Sequence, residues 1–139
     1  MNANKITTSG LLSVLKECPE DFEKINFFER AALLSLLNAQ LKRENASIMD
    51  VVVRTGLSKP YVYQIFNGSR LAGRDAAIRI ALALHMELAD IQRFLALSGK
   101  TPLYPKIRRD SAVIACMFKK LSLSETNEFL LNAGEEALL

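Results

Sequence analysis

The sequence predicts an all-α protein, and three observations lead to that prediction. Half of the 139 residues are hydrophobic, which is enough to build a real core at this chain length. Apolar residues recur at helical spacing in most segments, and no long stretch alternates apolar and polar residues as a strand would. The Asn67-Gly68 pair, a common hairpin turn, follows a helical pattern instead of joining two β-rich runs.

Residues 1–32 are predicted to form an N-terminal helical extension. Its first helix is expected over LLSVLKE, which follows a Thr-Ser pair able to cap a helix, and Pro19 should end it. The next helix is expected over FFERAALLSLLNAQLKREN, where Leu33, Leu37 and Leu41 recur every fourth residue. This second pattern runs into the central part of the chain.

Two short helices around a glycine turn are predicted in the middle of the chain. Ser47 and Asp50 have the spacing of a capping box, in which each side chain pairs with a backbone N–H of the other residue. Gly56 suits the left-handed position at a helix C-terminus. Ser58 can cap the second helix, whose first turn tolerates Pro60 because the N–H that proline lacks would be unpaired there.

The second of these helices has two contrasting sides. A rotation of 100° per residue places Val62, Ile65 and Phe66 together, and these apolar side chains are expected to face the core. The opposite and flanking sides then carry polar and aromatic groups, namely Lys59, Pro60, Tyr61, Tyr63, Gln64 and Asn67. Such groups can reach phosphates and base edges in the major groove of DNA, which is wide enough for one helix.

An internal repeat covers the second half of the chain. A shift of 35 residues lays RDAAIRIALALHMELADIQRFLALSGKTPL over RDSAVIACMFKKLSLSETNEFLLNAGEEAL. Eight pairs are identical in this alignment: Arg74/Arg109, Asp75/Asp110, Ala77/Ala112, Leu88/Leu123, Phe94/Phe129, Leu95/Leu130, Gly99/Gly134 and Leu103/Leu138. Each copy is predicted to be a helical hairpin, and the second hairpin is expected to stack on the first. Chance convergence of two helical hairpins is the alternative.

Charge is unevenly distributed along the chain, although the net charge is only +3. Residues 41–74 contain six basic and two acidic residues, whereas residues 120–139 contain one basic and four acidic residues. A basic middle segment favours an anionic partner such as nucleic acid. An ordinary solvated helix face would have a similar composition.

The sequence gives no sign of export, membrane insertion or catalysis. Its start lacks a basic region followed by an apolar one, and no uncharged apolar run approaches the roughly 18 residues of a membrane span. Cys18 and Cys116 are far apart and are expected to be buried, reduced thiols. His85 is the only histidine, and the acidic residues are scattered over helix surfaces. We therefore expect a cytoplasmic protein that is not an enzyme and binds no metal or cofactor.

The segment SIMDVVVRTGLSKPYVYQIFNGSR resembles the helix-turn-helix core of bacterial XRE-type, lambda-repressor-like regulators. Gly56 matches the family's turn glycine, Val62 its branched core residue, and Asn67, Gly68 and Arg70 its characteristic ending. The resemblance covers about residues 33 to 99. It implies a five-helix DNA-binding domain over 33–99, followed by a C-terminal helical hairpin over 100–139.

The same resemblance implies how DNA would be bound. The helix from about Ser58 to Asn67 would enter the major groove. Contacts to bases and phosphates would come from Ser47, Ser58, Lys59, Pro60, Tyr61, Tyr63, Gln64, Asn67, Ser69 and Arg70.

These observations together predict a sequence-specific transcriptional regulator that binds double-stranded DNA. One recognition helix covers only a few base pairs, so a homodimer on paired half-sites is expected, with the C-terminal hairpin as its contact surface. A protein-interaction or adaptor module with the same fold remains the alternative. Two tyrosines on the exposed face and Phe66 before Asn67 favour that alternative.

Overall fold

Eight α-helices and one short 3-10 turn make up the computed structural model, which describes residues 8–17 and 19–139. The described part of the chain contains no strand, so the prediction of an all-α protein is confirmed. The helices are α1 (Thr8–Glu17), α2 (Phe22–Glu44), α3 (Ile48–Thr55), α4 (Lys59–Asn67), α5 (Arg74–Ala83), α6 (Leu88–Leu97), α7 (Arg108–Phe118) and α8 (Leu123–Asn132), with the 3-10 turn Pro19–Asp21 before α2.

Two sequence expectations concern whole-chain properties. No helix in the described residues is both long and apolar enough to cross a membrane. Cys116 is a buried free thiol, as expected, and burial raises its pKa despite the neighbouring Thr126 hydroxyl and the nearby charge of Lys119. Cys18 lies outside the described residues.

The longest helix, α2, organises the first half of the molecule. It packs against α4 and α6 and buries Leu33, Leu36 and Leu37. It also runs straight through the predicted domain boundary between residues 32 and 33. Near its C-terminus, Arg43 donates hydrogen bonds to the backbone oxygens of Leu84 and His85, which ties α2 to the end of α5.

Helix α3 has the termini that the sequence predicted. The Ser47 hydroxyl accepts from the Asp50 N–H at 3.0 Å, and the Asp50 carboxylate accepts from the Ser47 N–H at 2.9 Å, so the capping box is confirmed. Gly56 follows the helix with φ 69°, the left-handed conformation that glycine adopts without steric cost. The Arg79 guanidinium donates to the Thr55 backbone oxygen and so holds the turn against α5.

Three residues separate the end of α3 from the start of α4. Ser58 caps it by accepting from the Tyr61 N–H, and Pro60 lies in its first turn, both as predicted. Val62, Ile65 and Phe66 are buried, which confirms the predicted inward face. The helix ends at Asn67, and Gly68 follows it with a φ of 86°, again in the left-handed region.

The predicted repeat corresponds to two equivalent helical hairpins. We name α5–α6 with its following segment (residues 74–104) the first hairpin, and α7–α8 with its following segment (residues 109–139) the second hairpin. Backbone irregularities recur 35 residues apart in the two hairpins: His85 and Lys120 have φ of 48° and 53°, and Gly99 and Gly134 have φ of 72° and 79°. The two hairpins therefore share one backbone plan in addition to a sequence pattern.

Each hairpin is closed by the same internal contacts. Arg74 donates to the backbone oxygens of Thr101 and Pro102, and Arg109 makes the equivalent bonds in the second hairpin. The acceptors of Arg109 are the backbone oxygens of Glu136 and Ala137. The Leu103 N–H donates to the side-chain oxygen of Gln92, and the Leu138 N–H donates to that of Asn127.

The contacts between the hairpins are reciprocal. Arg74 forms a two-pronged ion pair with Asp110, and Arg109 forms one with Asp75. The Tyr104 N–H donates to Asp110, and its counterpart, the Leu139 N–H, donates to Asp75. This confirms that the second hairpin stacks on the first, and the polar contacts between them are arranged as in a two-fold-symmetric pair.

One hydrophobic core extends through both halves of the molecule. It joins residues of α2, α3 and α4 to the first hairpin and continues into Val113, Ile114 and Met117 of α7 and Leu130 of α8. Leu103 and Leu138, which follow the two hairpins, are buried in the same core. The core therefore crosses the predicted division between residues 99 and 100.

Candidate nucleic-acid interface

The outer face of α4 is uncovered along its whole length. Lys59, Tyr63 and Asn67 follow one another at one-turn spacing and are all exposed. The Lys59 ammonium lies 5.7 Å from the centre of the Tyr63 ring, so the cation and the aromatic face form one continuous surface. Pro60 and Gln64 are exposed beside this row. The opposite side of the helix is anchored in the core, which holds the exposed face in a fixed orientation.

The N-terminus of α4 is suited to bind an anion. Its first turn contains no acidic residue, and Lys59 is its first residue. The free N–H groups and the helix dipole add positive potential at the same end. The exposed hydroxyl of Ser58 uses its oxygen as the helix cap and keeps its proton for an external acceptor.

The N-terminus of α3 is less suited to a phosphate. The hydroxyl of Ser47 is exposed, but the Asp50 carboxylate lies against it in the capping box. Hydrogen bonds from the backbone and side chain of Ser47 lower the pKa of Asp50, with a further contribution from the charge of Arg54. A permanent negative charge therefore stands beside Ser47 at neutral pH and would repel a phosphate.

Tyr61 has a different environment from the other predicted site residues on α4. Its side chain is half-buried and packs against the hydrophobic core. Its phenolic oxygen accepts a hydrogen bond of 2.9 Å from the Gly73 N–H, immediately before α5. Tyr61 thus connects the loop after α4 to the helix itself, and its phenolic oxygen is used as an acceptor within the protein.

Arg70 lies in this loop and is held by the same tyrosine. The guanidinium carbon of Arg70 is 4.8 Å from the centre of the Tyr61 ring, a stacked cation–π arrangement. Stacking leaves the guanidinium N–H donors at the ring edge available to an external acceptor. Because Arg70 is exposed, the structure presents it as an oriented positive charge next to the end of α4.

The turn at the end of α4 is stabilised by polar contacts. The side-chain oxygen of Asn67 accepts from the Ser69 N–H at 2.8 Å, and the Ser69 hydroxyl donates to the Gln64 backbone oxygen at 3.4 Å. The Asn67 bond occupies its amide oxygen and leaves the NH₂ group as a donor to other molecules. Both residues lie at the surface beside Arg70.

Arg30 contributes to this region and was not among the predicted site residues. Its guanidinium donates to the Gly68 backbone oxygen and so attaches α2 to the end of α4. Nothing in the sequence identifies this contact, because the two residues are 38 positions apart and follow no motif. Arg30 therefore helps to hold the end of α4 in place.

Several cations of the basic middle segment make contacts elsewhere in the fold and not at the exposed face of α4. Arg43 and Arg54 donate to backbone oxygens at the end of α5, and Arg74 is paired with Asp110. Lys59 and Arg70 are exposed at the two ends of α4. The positive charge that lies next to the exposed face of α4 therefore comes mainly from these two side chains.

Helix α3 adds an apolar element to the surface. Met49 and Val53 lie one turn apart on α3 and are 42% and 73% exposed. Large apolar side chains with this exposure on adjacent turns are typical of surfaces that contact other proteins.

Within residues 8–17 and 19–139, no group of three or more potential metal ligands comes together.

Comparisons of the chain with models of protein families, with curated proteins and with solved structures give no match.

Proposed function

We propose that this protein is a sequence-specific DNA-binding regulator and that α4 is its recognition helix. The observation that carries the proposal is the uncovered face of α4, which presents donors and an aromatic ring between two exposed cations, Lys59 and Arg70. A helix with this surface fits the width of the major groove, and the cations at its ends match the flanking phosphate chains.

The arrangement of α2 to α6 supports assignment to the lambda-repressor-like helix-turn-helix proteins. Five consecutive helices surround one core, and α3 and α4 meet across a three-residue turn that begins with a left-handed glycine. The capped N-terminus of α4 and the left-handed Gly68 after it define a short helix with a fixed start and end. In this proposal α2 and α3 support the recognition helix, since α4 packs against both of them.

The roles of the site residues follow from their environments. Gln64 and Tyr63 are exposed in the middle of the face and would contact base edges, where glutamine can pair with adenine through two hydrogen bonds. Lys59, with the N–H groups and the Ser58 hydroxyl at the start of α4, would hold one phosphate. Arg70, with Asn67 and Ser69, would hold another. Tyr61 would act indirectly, by orienting Arg70.

A protein-interaction role is the second candidate, and the exposed Met49 and Val53 on α3 favour it. In that case the α3–α4 surface would bind a protein partner through apolar side chains, and binding would depend weakly on salt. DNA binding has the opposite signature, because each neutralised phosphate releases counterions and lowers affinity as salt rises.

The deciding experiment is selection of DNA from a randomised pool by the full-length protein at two salt concentrations. We expect enrichment of one motif, with an affinity that falls steeply between low and high salt. Lys59→Ala and Arg70→Ala should each weaken binding to all sequences alike and reduce the salt slope by about one unit.

Lys106→Ala is the matched control, since Lys106 is also an exposed cation but lies in the connector before α7. This variant should leave the affinity and the salt slope unchanged. Failure to enrich any motif at either salt concentration would refute the DNA-binding proposal. If the double variant Met49→Ser, Val53→Ser no longer bound a protein partner of the wild-type chain, that result would instead support the second candidate.

A further inference from the structure

The contact surface between the two hairpins is self-complementary. An Arg-Asp pair begins the first helix of each hairpin, and each arginine reaches the aspartate of the other hairpin at 2.9 Å. Because these polar contacts are reciprocal, they are all used up within one pair of hairpins, and a third hairpin would find no free half of the pattern. The same property means that either hairpin could equally pair with its counterpart from another copy of the chain.

The connector between the hairpins is short and comprises residues 105–108. Two hydrogen bonds of Tyr104, the last residue of the first hairpin, hold it closed: its oxygen accepts from the Ile107 N–H at 2.9 Å, and its N–H donates to Asp110 at 3.0 Å. The side chains of Tyr104 and Ile107 are large and about half exposed, at 51% and 52%. Pro105 between them favours an extended conformation for the residue before it, which is compatible with an opened connector.

We propose that two copies of this chain assemble by reciprocal exchange of the second hairpin. In the exchanged dimer, the second hairpin of each copy leaves its own first hairpin and packs on the first hairpin of the other. All reciprocal contacts, including both Arg–Asp pairs, are formed again between chains. The connector opens and brings Tyr104 and Ile107 of the two copies close to one another.

The closed monomer and the exchanged dimer contain the same hairpin contacts, so effective concentration decides between them. Intramolecular pairing through a short connector corresponds to an effective concentration on the order of millimolar. The closed chain therefore dominates in dilute solution. The exchanged dimer becomes more populated when two copies are held close together or when pairing within one chain is disfavoured. The second condition can be created by mutation.

Two charge-reversed variants test the proposal in full-length protein without any DNA. One carries Arg74→Asp with Asp75→Arg, and the other carries Arg109→Asp with Asp110→Arg. In each variant alone, every Arg–Asp pair becomes a contact between like charges. In an exchanged dimer of the two variants, both hairpin pairs again join opposite charges.

We expect an equimolar mixture of the two variants, refolded together, to form a dimer by sedimentation with at least about tenfold more dimer than either variant alone. If the separate variants are unfolded, the mixture should regain helical circular dichroism. The variant with all four substitutions is the control, because it again places opposite charges at both pairs within one chain, although the bonds of these residues to the backbone are lost; it should be monomeric. A mixture that gives only the average of its components would overturn the proposal.

A second variant leaves the hairpin surfaces intact and changes only the connector. Deleting Pro105 and Lys106 makes the connector too short to fold back, so the chain should form a stable exchanged dimer. A folded monomer, or a chain that stays unfolded at every concentration, would overturn the proposal. Both tests are independent of the proposed DNA binding, which can fail while exchange succeeds, or the reverse.

Discussion

Asp110 and Asp75 offer a controlled measurement of what burial does to an ion pair. Asp110 accepts two hydrogen bonds from Arg74, at 3.1 and 2.9 Å, and one from the Tyr104 N–H at 3.0 Å. Asp75 accepts two from Arg109, at 3.0 and 2.9 Å, and one from a backbone N–H at 3.3 Å. The two sites have the same kind of bonds, but the Asp110 side chain is 4% exposed and the Asp75 side chain is 29% exposed.

The substitution Asp110→Asn keeps the shape of the side chain and removes its charge. Removing one partner of a buried ion pair typically costs 3–5 kcal/mol, and the lower end applies here because Arg74 is still 25% exposed, so we expect a loss of about 3 kcal/mol. Asp75→Asn breaks a pair with more solvent access and should cost about 1 kcal/mol. For a domain of this size the corresponding decreases in melting temperature are about 10 °C and about 3 °C.

Urea unfolding of both variants, followed by circular dichroism, measures the two losses directly. Equal losses in the two variants would refute the reasoning, because they would show that exposure does not set the strength of these pairs. A larger loss for Asp75→Asn would have the same consequence. Full-length protein serves for both measurements, since each variant differs from it by one atom type in one side chain.

Three further predictions follow from individual residues. Gln64→Ala should relax base preference at one position of the selected motif while leaving the salt slope unchanged, because a good base contact is worth about 1–3 kcal/mol of discrimination; repeating the DNA selection checks this. An alanine in the left-handed conformation costs roughly 1–2 kcal/mol. Gly68→Ala should lower the free energy of unfolding by more than this, because its Cβ would meet Leu34 at 3.1 Å. Gly99→Ala has open space around it and should lower the free energy of unfolding only by the cost of the left-handed conformation. For Asp75, burial raises the pKa but the hydrogen bonds from Arg109 and a backbone N–H outweigh it, so the folded-state pKa lies below the usual 3.8. Its stabilisation is therefore present above that value and is lost as pH falls through the lower folded-state pKa, and acid titration of Asp75→Asn should show a smaller loss of stability in that range.

Much of the local structure could be predicted because it depends on residues close together in the chain. The capping box of Ser47 and Asp50 spans three residues, and the left-handed glycines Gly56 and Gly68 each act at one position. The inward face of α4 follows from helical rotation alone, which is why Val62 was correctly placed in the core. In each case the physical cause is contained within one or two helical turns.

The predicted site could be derived only in part, because exposure depends on the neighbours of a residue. The periodicity of α4 placed Tyr61 among the outward or flanking groups. In the structure its phenol is half-buried and accepts a hydrogen bond from Gly73, and both features depend on how the following loop returns to the helix. The same loop brings Arg70 onto the Tyr61 ring. Charge composition likewise gave no indication that Arg54 would bind a backbone oxygen of α5.

The sequence by itself determined that this chain is helical, where its central helices are capped, and that two of its segments repeat with a period of 35 residues. Those features arise from interactions between neighbours in the chain. Only the tertiary structure decided that Arg74 pairs with Asp110 and Arg109 with Asp75, across the two repeats. Identical residues in a repeat are equally compatible with contacts inside each copy. Only the packing of α8 against α5 and the placement of the two Arg–Asp sequences opposite each other let both aspartate–arginine pairs form at once.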